Sequence, residues 1–220
     1  MNELKEKLTL LIKEACRQLA AIANNEEYDG KCHIHIPPKD EEQRISEQEL
    51  KYVFLELFVK CDDMQGYTYS VETPTENKYR FSEKGENEKK EKVTPECGTG
   101  RRANIDVVIF KGDDRVAMIE FKSGNPDEHS HAKDFVKLKE EPGNGLLRFF
   151  VELYSSSDKG TLKSIHKKLH FNPCGKIDEN TMFIGFSLNH KNSGCGFIVD
   201  TGEKNGDKES QFIPYANRAK

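Results

Sequence analysis

Asn104-Ile105-Asp106-Val107-Val108-Ile109-Phe110, then Lys111-Gly112-Asp113-Asp114-Arg115, then Val116-Ala117-Met118-Ile119-Glu120-Phe121-Lys122: the reading of the chain turns on this stretch. Two apolar, β-branched runs around a short polar segment predict antiparallel strands joined as a hairpin. If the 111–115 loop closes symmetrically, Phe110 faces Val116, and counting back in pairs sets Asp106 opposite Glu120. Strand side chains alternate between faces, so Lys122 shares the face of Glu120, while Ile119 and Phe121 point into the other layer with Ile105, Val107 and Ile109. Directly opposed β-carbons stand about 4.5–5.5 Å apart, where two carboxylates repel. A divalent cation is the natural compensation. Mg²⁺ (or Mn²⁺) takes hard oxygen ligands from one Asp and one Glu and keeps positions open for water and phosphate. The Lys122 ammonium can orient or help deprotonate an attacking water and offset charge on phosphoryl oxygens.

Glu-x-Lys alone carries no weight, since it recurs at Glu3/Lys5, Glu49/Lys51 and Glu88/Lys90 in helical or charged segments. Only the 120–122 copy ends an apolar strand with an acid in register on the neighbouring strand. The competing account is a surface ion cluster pairing Lys122 with Asp106 or Glu120. A one-residue slip of the hairpin would turn Asp106 away from Glu120 and dissolve the site.

Upstream, Leu4, Leu8, Leu11, Ala15, Leu19 and Ile22 recur at helical spacing, which predicts an amphipathic N-terminal helix over residues 1–24. Ser46 precedes Glu49 by three residues, the form of a capping box, so a second helix runs to about Lys60 with Leu50, Val53, Phe54 and Leu57 on its apolar face. Tyr67 to Glu72 reads as a strand ending at Thr73-Pro74, and residues 76–96, dominated by Lys, Glu, Asn and Ser, read as a long exposed charged loop. Downstream follow a helix over His131 to Glu141, a buried strand over Leu147 to Tyr154, a short basic helix over Thr161 to Leu169, and strands at Met182 to Leu188 and Gly196 to Val199. The expectation is one α/β domain over 1–220, a central mixed β-sheet flanked by helices.

The hairpin Ile105-Asp106-Val107 with Ile119-Glu120-Phe121-Lys122 resembles the active-site strands of the PD-(D/E)XK nuclease superfamily, the restriction-endonuclease-like enzymes. The order of elements resembles that family too. The resemblance implies a restriction-endonuclease-like core and Mg²⁺-dependent hydrolysis of phosphodiester bonds, in DNA before RNA, with a role in restriction or phage defence. It implies Asp106, Glu120 and Lys122 as catalytic residues and, from the preceding helix, Glu49, with Asp106, Glu120 and Glu49 holding the metal. Glu47 competes with Glu49 for the helical acid, and Ile105 stands where the family has Pro. Arg101, Arg102, Lys133 and Lys137 are the candidates for contacts with nucleic acid, although a solvated helix face also accounts for Lys137. The alternative is an inactive module on the same fold that binds nucleic acid or protein.

A net charge of −4 argues against coating nucleic acid by charge alone but leaves local basic clusters free to line a groove. The charged N-terminal segment reads as neither a signal peptide nor a membrane span, so a cytoplasmic setting with no membrane partner is expected, and a homodimer is allowed. Six scattered cysteines without a C-x-x-C pair read as reduced thiols. Cys32-His33-Ile34-His35 with Cys61 offers soft zinc ligands, against which stands a short strand, and His166 with His170 shares a helix face without an identifiable third ligand.

Overall fold

The computed structural model describes residues 2–23, 33–36, 38–39, 42–43, 46–81, 96–124, 126–169, 180–188, 196–200 and 213–214. Its elements in chain order are α1 (Asn2–Ala23), β1 (Pro38–Lys39), β2 (Glu42–Gln43), α2 (Glu47–Lys60), β3 (Thr68–Arg80), β4 (Glu96–Cys97), β5 (Arg101–Lys111) and β6 (Asp114–Ser123). There follow α3 (Glu128–Glu140), β7 (Leu147–Tyr154), α4 (Lys159–Leu169), β8 (Thr181–Ser187), β9 (Gly196–Asp200) and β10 (Ile213–Pro214). Apart from the small β1–β2 pair, the strands form one sheet in the order β10-β9-β8-β7-β6-β5-β3-β4. It is mixed, because β6, β7 and β8 run parallel while the pairs β3/β5, β5/β6 and β8/β9 are antiparallel.

Alternation in the central strands divides the core into two layers. Ala117, Ile119 and Phe121 of β6 pack with Val107, Ile109, Phe149 and Val151 beneath Leu8, Ile12 and Leu19 of α1 and Leu50, Val53 and Phe54 of α2. Met118, with Val108, Phe150 and Phe183, meets Ala132, Phe135 and Leu138 of α3 and Ile165 and Leu169 of α4 on the other side. All eight residues of β7 are buried, as a parallel strand covered on both faces requires. Glu120 and Lys122 continue the Met118 face and so lie toward α3.

The hairpin closes more tightly than a symmetric 111–115 loop. Lys111 pairs with Asp114 and Phe110 with Arg115, leaving Gly112-Asp113 as a two-residue turn. Gly112 takes the positive φ, 61°, that such a turn favours. A bulge between Ile109 and Phe110 absorbs the difference, so that Ile109 still pairs with Ala117, Val108 with Met118 and Val107 with Ile119. Extending that register sets Asp106 level with Glu120. Ile105, expected beside Val107, instead packs in the α3 layer.

The strand expected to stop at Thr73-Pro74 runs on to Arg80. Pro74 is accommodated at an interruption of the β3–β5 register between Pro74 and Lys78. Bulges and edges are where a strand tolerates a residue without an N–H. The buried Glu141 carboxylate fastens this interruption by accepting the Glu76 amide at 2.8 Å, the Asn77 amide at 3.0 Å and the Tyr79 hydroxyl at 2.9 Å. The exposed loop read over 76–96 is therefore strand as far as Arg80 and again at Glu96–Cys97, and residues 82–95 lie outside the described residues.

Candidate active site at the open end of the hairpin

The ladder between β5 and β6 ends at Val107 and Ile119, and beyond it the Asp106 carboxylate accepts the Phe121 amide at 2.8 Å. A side chain takes the place of a backbone acceptor there, which fixes Asp106 beside the end of β6. Glu72 of β3, between the pairs Val71–Val107 and Thr73–Ile105, has φ of 49°, a left-handed backbone uncommon outside glycine. The Lys51 ammonium of α2, almost fully buried, lies 2.6 Å from the Glu72 carboxylate and 3.6 Å from that of Asp106.

Glu120 is buried beside Lys137 of α3, whose Nζ stands 2.9 Å from its Oε1. Burial holds the Glu120 carboxyl well above the ordinary carboxylate range; Lys137 opposes this, and the neighbouring Asp134 and Asp106 carboxylates reinforce it. Asp134 bridges two lysines, 2.7 Å from Lys137 and 2.8 Å from Lys122. Lys122 also lies 3.9 Å from Glu47 in the first turn of α2. Burial works against the Lys122 charge, but Asp134, Glu47 and Glu120 outweigh it and raise its pKa. Glu47 is raised chiefly by burial, with Asp106 and Asp134 adding to it. The site is thus a network of Glu47, Asp106, Glu120 and Asp134 with Lys51, Lys122 and Lys137, reached from α2 on one side of the sheet and α3 on the other.

Asp106 lies near enough to act on the Glu120 carboxyl, and Glu120 on the Lys122 ammonium, but with Ile105 in the α3 layer and Asp106 met by Lys51 of α2 the register alone does not set the three on one face. Glu49 is not with them: its carboxylate accepts the Ser46 amide at 2.8 Å and completes the capping box, whose geometry turns it back along the helix start. Glu47, two residues earlier, is the helical acid facing Lys122. Lys137 does not lie on a solvated helix face: its buried ammonium holds Glu120, Asp134 and the Asn104 carbonyl, the last at 2.9 Å. Arg101 lies opposite Tyr79 and Arg102 opposite Lys78, on opposite faces of β5. Lys133 lies on α3 and is not among its buried residues. Asp134 and Lys51 were not singled out in the sequence. Their burial within polar helix stretches has no periodic signal, though Lys51 sits among the apolar positions of α2.

The carboxylates of Asp106 and Glu120 suit a hard divalent cation, and their mutual repulsion is the feature such an ion relieves. Among the described residues no three His, Cys, Asp or Glu side chains form a ready-made cage, so a bound ion would complete its shell with water and substrate oxygens, as Mg²⁺ commonly does. Of the other metal candidates, Cys32 and His170 lie outside the described residues. His33 pairs with Glu56 and Lys60 of α2 instead, and the 33–36 segment forms no strand.

Fold and site together define an α/β protein whose mixed sheet opens onto a buried carboxylate and lysine network. No family model, curated protein or solved structure matches the chain. No helix among the described residues is long and apolar enough to cross a membrane.

Proposed function

We propose that this chain is a metal-dependent nuclease of the restriction-endonuclease-like kind, hydrolysing phosphodiester bonds in DNA in preference to RNA. The observation that carries the reading is the convergence of Asp106, Glu120 and Lys122 where the β5–β6 ladder opens. A bound Mg²⁺ or Mn²⁺ supplies polarisation of the phosphate and a more acidic water. Asp106 and Glu120 hold it. Lys122, kept protonated by Asp134, stabilises charge on the phosphoryl oxygens rather than acting as a base. Glu47, whose carboxyl burial raises above its ordinary range and which faces Lys122, is placed to take the proton of the attacking water. The same reading goes with a cytoplasmic setting, a part in restriction or phage defence, and room for a homodimer.

One observation favours the second reading, an inactive binding module on this fold: Lys51 and Lys137 already stand against the two carboxylates that would hold the ion. Two measurements separate the readings. Mn²⁺ binding followed by calorimetry, with Asp106→Asn as the control, tests the metal site. Cleavage of duplex, single-stranded and methylated DNA and of RNA with Mg²⁺ or Mn²⁺, compared with Lys122→Ala, tests the chemistry. Binding with cleavage that the variant loses supports the nuclease. Absence of metal binding at Asp106 sinks it.

A further inference from the structure

Four residues before Asp106, β5 carries Arg102, directly opposite Lys78 on β3. Like charges at directly opposed positions of an antiparallel pair are destabilising. Both side chains are exposed, and neither makes an ion pair with any described residue. Several cations of the sheet and its flanking helices, by contrast, pair with acids: Lys51 with Glu72, Lys122 and Lys137 with Asp134, Lys168 with Glu152, Arg115 with Glu141. Tyr79, between Lys78 and Arg80, is buried toward α3, where its hydroxyl reaches Glu141, so alternation turns Lys78 and the exposed Arg80 to the other face together with Arg102. That is the face on which α2 packs, and α2 delivers Glu47 and Lys51 to the candidate site from there.

We infer that the β3–β5 ribbon, through Lys78 and Arg102, binds the phosphodiester backbone of a nucleic acid running away from the site; the inference rests on the nuclease reading. A polyanion removes the repulsion between the two cations, which no described acid does. At about 3.3 Å per strand residue Arg102 lies about 13 Å along β5 from Asp106. A nucleic-acid strand presents one charge per about 3.4 Å of axis, so the ribbon grips the backbone about four nucleotides from the scissile bond.

The test measures binding of fluorescein-labelled duplex DNA and duplex RNA by anisotropy in EDTA, across a range of salt, for the native chain and Lys78→Ala/Arg102→Ala. A variant with the same charge loss on α4, Lys159→Ala/Lys163→Ala, is the control. The expected result is a slope of log affinity against log salt shallower by about 1.8 in the ribbon variant and unchanged in the control, since each phosphate contact contributes about 0.9. Lys78→Arg/Arg102→Lys must keep the native slope. The ribbon variant should also melt no lower than native, because it sheds a repulsion. A change on DNA, RNA or both names the backbone bound. Equal slopes for the ribbon variant and native chain, or no binding by the native chain, overturn the inference. EDTA suppresses cleavage, so a ribbon that binds on a chain that never cleaves fails the nuclease reading alone, and cleavage with equal slopes fails the ribbon alone.

Discussion

Lys122 and its neighbours carry the sharpest consequences at the scale of single residues. Removing the ammonium with Lys122→Met should lower kcat about 10²–10³-fold, the usual effect of deleting one preorganised charge-stabilising donor, while Mn²⁺ affinity measured by calorimetry stays or rises. The two glutamates at the start of α2 should separate cleanly. Glu49→Ala breaks the capping box and should cost about 1 kcal/mol in urea unfolding without altering cleavage. Glu47→Gln should leave stability near native and depress the rate, because it faces Lys122 and not the helix end. If Glu49→Ala abolishes cleavage in a fully folded protein, the assignment of the helical acid is wrong. Sequence spacing put Glu49 at capping-box distance from Ser46, but did not show that Glu47 would be the acid left to face the sheet.

At the scale of elements, the β3 interruption and the C-terminal end of α3 stabilise each other. Glu141 gathers two backbone amides of β3 and the Tyr79 hydroxyl, and Arg148 donates to the Leu138, Leu146 and Glu141 carbonyls at 2.6, 2.9 and 2.9 Å, satisfying the end of the helix. Glu141→Ala leaves the Glu76 and Asn77 amides without their acceptor and the Tyr79 hydroxyl with only the longer contact to the Lys137 carbonyl, and should destabilise the chain by about 3 kcal/mol, read as a lower urea midpoint at unchanged slope. A loss under about 0.5 kcal/mol would mean that water replaces the carboxylate, as it does at exposed sites. Pro74 misled the reading of β3 for a related reason: a proline ends a strand in isolation, yet here a tertiary carboxylate holds the irregular backbone in place.

Acid sensitivity belongs to the whole molecule. His131 is buried between α3 and β7 among Phe135, Phe150 and Phe183, and its pKa is lowered to about 3, first by burial and then by the charge of Lys168 from α4. Glu152 of β7 lies 3.6 Å from its ring, and Asp134 and Lys122 also act on it. Because the unfolded imidazole takes up a proton near pH 6.5 and the folded one does not, the stability present above pH 6.5 is lost as the pH falls toward 3, at up to about 1.4 kcal/mol per pH unit. His131→Phe should flatten that part of a stability profile measured by urea unfolding at successive pH values. An unchanged slope would show that the carboxylates alone govern acid unfolding.

Local pattern was enough for the helices and the central strands, because apolar periodicity and the alternation of side chains are properties of neighbouring residues, but not for the two-residue turn of the hairpin or the run of β3 past Pro74. Alternation also gave the shared face of Glu120 and Lys122, and Asp106 comes level with Glu120 only because a bulge offsets the tighter turn. Tertiary structure alone decided the partners of these charges. Lys51, Asp134 and Lys137 come from helices on opposite sides of the sheet, distant in sequence from the strands they meet, and only packing fixes which carboxylate each ammonium reaches. It also decided that Glu47 faces the site and that Lys78 stands beside Arg102. Those outcomes depend on bulges and helix placement, where small shifts in register redirect a charge and the energy that selects one arrangement is shared among many long-range contacts.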